Sequence, residues 1–222
     1  MIESSKRLSA VFAMAERASA IGDIGCDHGY ISFALLRDGI AEKVVATDIS
    51  APSLEKARRL LEAVYPAEKF RIARGDGFMP IAPGEIQAAV IIGMGGQLIA
   101  EILERGWEVI KELDYILVQP MQGAEELFRH INAYGYTILD AQLIEERKKY
   151  YPILKLRAGG EDRADWGRFR HSPVFCEMAE QNLARLEKIA EAVRNAKPER
   201  LKEVEEEIGR WEEYLESIGN RG

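Results

Sequence analysis

Residues 23–30 read DIGCDHGY: they close the run AIGDIG (20–25), which reads as a β-strand ending in a glycine turn, and they open YISFALLR (30–37), which reads as a helix. A strand, glycine turn and helix in this order often cradle phosphate. This turn instead carries two carboxylates, Asp23 and Asp27, which repel phosphate. Its ligand is therefore something a carboxylate welcomes, such as a cation or a set of sugar hydroxyls.

The same punctuation recurs along the chain. KVVATD (43–48) is apolar and β-branched up to an acid and precedes a helix over 52–64; KFRIAR (69–74) leads into the turn Gly75-Asp76-Gly77. QAAVII (87–92) breaks into Gly93-Met94-Gly95-Gly96 before a helix over 98–103, and DYILVQ (114–119) precedes a helix over 125–134. TILDAQLI (137–144) and YPILKL (151–156) leave little room for a helix between them, so that pair is expected to be antiparallel. Alternating strands and helices predict an α/β fold: a doubly wound, mainly parallel sheet whose last strand is antiparallel. Ligands of such sheets bind outside the carboxyl ends of the strands, where Asp23, Asp48, Asp76 and the glycines at 93–96 all fall.

At 222 residues the chain has room for one sizeable core and a smaller appendage. Its 47% hydrophobic and 30% charged residues are ordinary for a soluble domain. A net charge of −7 excludes a general polyanion binder, so any nucleic-acid contact must use local basic patches. Cys26 and Cys176 lie far apart, which gives no disulfide framework and no metal-ligand cluster and fits a reducing cytoplasm. The first twenty residues read as an amphipathic helix, their apolar run too short for a membrane and broken by Glu16 and Arg17. A monomer or weak homodimer is expected.

A nicotinamide dinucleotide fits badly. The G-x-G-x-x-G fingerprint is absent, the glycines here being Gly22, Gly25 and Gly29. Like charges a few ångströms apart also repel by roughly 4 kcal/mol at an effective dielectric near 20. S-adenosylmethionine carries no phosphate, and its sulfonium, ammonium and ribose hydroxyls all suit carboxylates. Asp48 at the end of the second strand is placed to accept the ribose hydroxyls, and Asp76 to reach the adenine amino group. Each also has a local reading: Asp23 and Asp76 as turn formers, Asp48 as a helix cap.

The segments DIGCDHGYI, IIGMGGQLI, VQPM and ERKKYYPIL, in this order, resemble the TrmK family of bacterial tRNA (adenine-N1)-methyltransferases, which modify adenosine at position 22. The similarity covers about the first 157 residues. It implies a Rossmann-like class I methyltransferase domain over 1–160 with a helical, coiled-coil-like hairpin over 161–222. By motif position Asp23, Gly25, Asp27, His28 and Gly29 line the cofactor loop, Asp48 takes the ribose, and the glycines at 93–96 face the target base. Cys26, Ile49, Asp76, Gly77 and Gly93 complete the expected cofactor set, with no metal and no membrane. The chain departs from the family at Met121, where Asn is usual, at WGRFRHSP (166–173), which lacks Phe-Gly-Pro, and at Lys148-Lys149 where Gly-Lys is usual. These departures bear on the nucleotide target and leave the cofactor set intact.

Methyl transfer to adenine N1 uses a free lone pair, so positioning supplies much of the rate. A carboxylate near the product stabilises its cationic ring; Asp27 is the candidate, the alternative being a contact to the cofactor or to a backbone amide. His28 reads as a general base or as a loop-holding hydrogen bond, and Cys26 as a small buried filler. The segment Gly93-Met94-Gly95-Gly96 stands where an adenine-N6 enzyme commonly has Asn/Asp-Pro-Pro-aromatic; its glycines suit close ligand approach or a tight turn. The base must be extruded onto an aromatic face, for which Tyr30, Phe78, Tyr150 and Tyr151 are candidates, although aromatic residues in this pattern are more often core. Met94, Gly95, Gly96, Arg147 and Lys149 join Tyr30, Tyr150 and Tyr151 on the substrate side, and RKK (147–149) and RFRH (168–171) are basic patches for a tRNA backbone or simply solvated surface.

Past Pro173, Leu201, Val204, Ile208, Trp211, Leu215 and Ile218 form one heptad seam, and Ala179, Leu183, Leu186, Ala190 and Val193 another, separated by NAKPE (195–199). This predicts an antiparallel helical hairpin that grips tRNA, mediates self-association or packs on the sheet. A small-molecule methyltransferase and a non-catalytic binding module remain the other function classes.

Overall fold

The computed structural model describes residues 5–194 and 198–219. They divide into two compact units, 1–165 and 166–222, a few residues past the sequence-based boundary at 160. In the first, α1 (Lys6–Met14), β1 (Ala18–Ile24), α2 (Tyr30–Arg37), β2 (Ala41–Asp48), α3 (Ala51–Glu62), β3 (Phe70–Arg74) and β4 (Ala88–Gly95) are followed by α4 (Gly96–Arg105) and a one-turn α5 (Trp107–Ile110). Then come β5 (Tyr115–Gln122), α6 (Ala124–Tyr134), β6 (Tyr136–Glu146) and β7 (Lys149–Ala158).

The seven strands form one sheet in the order β3-β2-β1-β4-β5-β7-β6. All pairs are parallel except those of β7, which runs antiparallel to both β5 and β6. Strand order reverses between β1 and β4, so the crevice above those two strands is the topological switch point. The central strands read as near-continuous apolar runs because helices cover both faces. On one face Val11 and Met14 of α1, Leu35 of α2 and Leu54 and Ala57 of α3 share a core with Ile21, Val44, Val90, Leu117 and Ile153. Elsewhere α4 and α6 pack on each other and on β4 and β5, burying Ile99, Leu103, Leu127 and Ile131.

Two features differ from the sequence reading. β4 does not stop at Ile92 but runs to Gly95, because β5 continues to pair with Met94 and Gly95 through two register shifts; α4 then starts at Gly96. The single turn of α5 after Gly106 was not expected at all.

Gly96 shows why a glycine opens α4. A Cβ there would sit 1.7 Å from the carbonyl oxygen of Gly123, the residue before α6, whereas a Cβ at Gly95 meets nothing within 4 Å. Gly96→Ala is therefore expected to lose about 1–3 kcal/mol of stability by overpacking, and Gly95→Ala less than about 0.5 kcal/mol, both read from urea midpoints. Equal midpoints would show that the two loops part without cost.

The second unit holds a 3₁₀ turn (Trp166–Phe169), α7 (Phe175–Val193) and α8 (Pro198–Gly219). Phe175 at the start of α7 meets Trp211 and Tyr214 near the end of α8, with ring centroids 6.3 and 6.2 Å apart, so the helices run antiparallel. Of the two seams, Ala179, Leu186, Ala190, Val204 and Trp211 are buried; Leu183, Val193, Leu201, Ile208, Leu215 and Ile218 are half-buried. The expected break at NAKPE lies in part outside the described residues, as does Lys197.

Candidate functional site

The turn after β1 is built from left-handed backbone: Gly25, Asp27 and Gly29 have φ of 73°, 47° and 76°. That conformation is uncommon for a side-chain-bearing residue and persists only where its surroundings hold it. Here the amides of Gly25 and Cys26 both donate to the carbonyl of Thr47 (2.8 and 2.9 Å), and Gly29 N donates to Cys26 O (2.8 Å). Asp27 N donates to Asp48 Oδ2 (3.0 Å), and Asp48 Oδ1 accepts from Ser50 N (2.8 Å). Asp48 thus joins the turn to the cap of α3 while remaining half-buried. Each of its oxygens keeps acceptor capacity, since a carboxylate offers about four lone-pair sites.

Asp23 lies at the base of this turn, 3% exposed. Its Oδ2 accepts from Ser32 N (3.0 Å) and Ser32 Oγ (2.6 Å), tying β1 to α2. Burial pushes its carboxyl up to about 6, against the lowering effect of the Ser32 bonds and with a further upward push from Asp48. Cys26 is buried, and burial followed by Asp23 and Asp48 raises its thiol, which does not suit a thiolate nucleophile.

Asp27 and His28 point outward. Asp27 Oδ2 lies 2.6 Å from His28 Nδ1, and its Oδ1 accepts from Ser53 Oγ (3.2 Å). Lys56 Nζ sits 3.0 Å from His28 Nε2. A lysine ammonium only donates, so Nε2 is the acceptor and Nδ1 carries the ring hydrogen given to Asp27. Tyr30 stacks on His28, centroids 5.9 Å apart and planes 5° apart, and is 43% exposed.

Around the ends of β2 and β3, Ile49 is 68% exposed and Met79 equally open. Gly77 O accepts from Thr47 Oγ1 (2.9 Å), while Asp76 Oδ2 pairs with Arg105 Nη2 (3.0 Å), a partner the sequence did not reveal. At the end of β4, Met94 reaches across to the β1 turn: its methyl lies 1.8 Å from where a Cβ on Gly25 would be. Gly93 (φ 83°) and Gly95 face open space.

Two expected stacking aromatics are unavailable. Phe78 is buried against Gly106, whose missing side chain makes room for it, with a Cβ there 2.4 Å from Phe78 Cδ2. Tyr151 is 7% exposed beneath the Arg7 guanidinium, 5.7 Å from its ring centroid. Tyr150 is half-buried. Tyr30 is the expected aromatic most open to a base. Since β6 runs in the direction of β5, the Arg147-Lys148 turn rises at the same edge as Gly93 and Gly95, with Arg147, Lys148 and Lys149 exposed. Both turn residues are left-handed, φ 55° and 62°. Arg168, Arg170 and His171 are exposed in the second unit and only Phe169 of RFRH is buried, so its basic side chains lie at the surface.

Sequence reasoning missed Ser53 and Lys56, which the spacing of APSLEK after Asp48 places on one face of α3, and Arg7 and Gln119, which no local pattern connects. Among the described residues no three His, Cys, Asp or Glu side chains converge as metal ligands, and no helix is long and apolar enough to cross a membrane.

A family model described as a methyltransferase domain matches residues 4–154. The chain is 31% identical over 163 residues to the tRNA (adenine(22)-N(1))-methyltransferase of Bacillus subtilis, covering 73% of this chain and 68% of that protein. It is similar to the crystal structure of the B. subtilis m1A22 tRNA methyltransferase TrmK, with a TM-score of 0.87 at 26% identity over 97% of this chain and 100% of the other. A Streptococcus pneumoniae structure in complex with S-adenosyl-L-methionine has a TM-score of 0.84 at 26% identity, again over 97% and 100%.

Proposed function

Since the chain belongs to the TrmK family of tRNA (adenine(22)-N1)-methyltransferases, we infer that it moves the methyl group of S-adenosylmethionine onto N1 of an adenine in tRNA, at position 22. The observation that carries this reading is the carboxylate-bearing turn clasped by Asp48 at the switch point. Its acids suit a ligand of hydroxyls and positive charge and repel a dinucleotide.

The residues fit the cofactor. Asp48 would hold the ribose hydroxyls, Asp23 the ammonium, Ile49 a face of the adenine, and the unpaired oxygen of Asp76 its amino group. Bound there, the cofactor supplies a methyl group on a cationic sulfur, open to in-line attack by N1. Tyr30 offers the exposed ring for the extruded base. Asp27, held by His28 and Ser53, accepts a hydrogen bond from the adenine amino group and stabilises the ring while it is cationic. Because N1 attacks with a free lone pair, His28 orients Asp27 and is not needed as a base.

Arg147 and Lys149, with Arg185, Lys188, Arg200 and Lys202 on the hairpin, are all exposed and meet phosphates locally, interleaved with glutamates. A tRNA substrate supports a cytoplasmic location, and a monomer or weak homodimer remains part of the proposal. Incubating the protein with labelled S-adenosylmethionine and total bacterial tRNA should give N1-methyladenine at position 22, with tRNA affinity falling steeply between about 50 and 200 mM salt. Label found only in a small-molecule extract, or cofactor bound with no transfer at all, would sink this reading.

A further inference from the structure

Gln119 is fully buried at 0% exposure, near the carboxyl end of β5. The residues after it shape the reacting edge, because Pro120 pairs with Met94 and Gln122 with Gly95. Whatever displaces Pro120 displaces the Met94-Gly95 segment that faces Gly25.

A buried amide needs partners, and this one finds its partner on another element. Arg7 Nη1, from the first turn of α1, donates to Gln119 Oε1. A guanidinium has no acceptor, so the bond fixes which way the amide faces. Nε2 is left to point at Pro120 O (2.6 Å), with Met121 Sδ at 4.0 Å. Arg7 is itself held in place. Its backbone N donates to Glu146 Oε1 (3.5 Å), its guanidinium carbon lies 5.7 Å from the Tyr151 ring centroid, and neighbouring Lys6 pairs with Glu145 (3.6 Å).

The arrangement is costly. Arg7 Nε is buried without a hydrogen-bond partner among the described residues, and desolvation lowers the guanidinium pKa. Two apolar side chains of similar volume would fill the space without stranding a charge-bearing donor. Stability alone does not explain this pair, whereas placement of the strand end does.

We propose that Arg7 is a positioning residue for the methyl transfer: acting through Gln119, it sets the Pro120-Met121 end of β5 and with it the Met94-Gly95 wall against which the target base must align. The proposal rests on the tRNA-methyltransferase reading above and adds that α1 takes part in the reaction geometry.

The test uses the full chain as Arg7→Met, Gln119→Leu and the double variant. Calorimetry gives cofactor affinity, tRNA methylation gives kcat and KM, and thermal melting gives the midpoint. Arg7→Met should lower kcat by about 100-fold, the loss typical of a reacting pair misplaced by an ångström. Its cofactor affinity should stay within about twofold, as for sites without shared contacts. The double variant, with both polar partners gone, should regain the thermal midpoint but not kcat. A kcat that returns with the midpoint would make the pair a structural tie only, and an unchanged kcat in Arg7→Met, or an equal loss of cofactor affinity, would overturn the proposal. Wild-type protein run alongside keeps the two readings apart, since its failure to methylate tRNA counts against the function and not against Arg7.

Discussion

Asp48→Ala is expected to fold and to bind S-adenosylmethionine about 100- to 10,000-fold more weakly. A ribose held by one carboxylate makes two charge-assisted hydrogen bonds, each worth about 1.5–3 kcal/mol, and every 1.4 kcal/mol is about tenfold. The same oxygens accept from Asp27 N and Ser50 N, so the variant also loosens the turn proposed to carry the cofactor. Asp48→Asn separates the two contributions: its carbonyl oxygen still accepts from one amide, so the turn keeps part of its clasp while the ribose loses the charge. Calorimetry on the folded variants decides, and an affinity equal to wild type would remove Asp48 from the site.

Asp23→Asn should do the opposite to stability. A carboxyl whose pKa is raised on folding, here from 3.8 to about 6, is penalised when charged. The apo protein therefore loses stability as pH climbs from about 4 through about 6, by roughly 3 kcal/mol at 1.36 kcal/mol per unit, and levels off above. Asparagine still accepts both Ser32 bonds and carries no charge. The variant should thus be about 3 kcal/mol more stable than wild type at pH 7 and equal to it near pH 4, the difference between their urea midpoints isolating this one group. It should also lose cofactor affinity, because an amide does not attract an ammonium. Parallel pH profiles for the two proteins would show that Asp23 folds at its ordinary pKa. A gain in stability with no loss of binding would leave the acid without a role in the site.

The parts legible in the sequence are those set by local pattern. The helix read over 30–37 is α2 as found, the strand ending at Asp48 is β2, and the two late apolar runs form an antiparallel pair. What stayed hidden depends on partners distant in the chain. Glycines at 93 and 95 look like a strand break, yet β5 keeps pairing there through a bulged register. Phe78 and Tyr151 read as candidate stacking rings or as core, and the gap at Gly106 and the cover of Arg7 make them core. The Arg105 partner of Asp76 and the Lys56 partner of His28 each come from a different element, and neither residue bears a motif. The acids at the strand ends were visible because fold topology brings strand ends together; the tie behind the end of β5 was not, because a side-chain contact between α1 and β5 makes it.

The close approach of Gly96 to the carbonyl of Gly123 has a consequence for how such a chain can vary over time. One loop follows β4 and the other follows β5, yet they meet backbone to backbone. Neither can gain bulk alone. A lineage that remodels the turn after β4 must first open the turn after β5, and its intermediates carry the stability loss before any benefit arrives. The two loops therefore drift as one unit, while Gly95, with φ −70° and open space before it, is where new side chains can be tried at little steric cost, and Gly93 is held to glycine by its left-handed backbone.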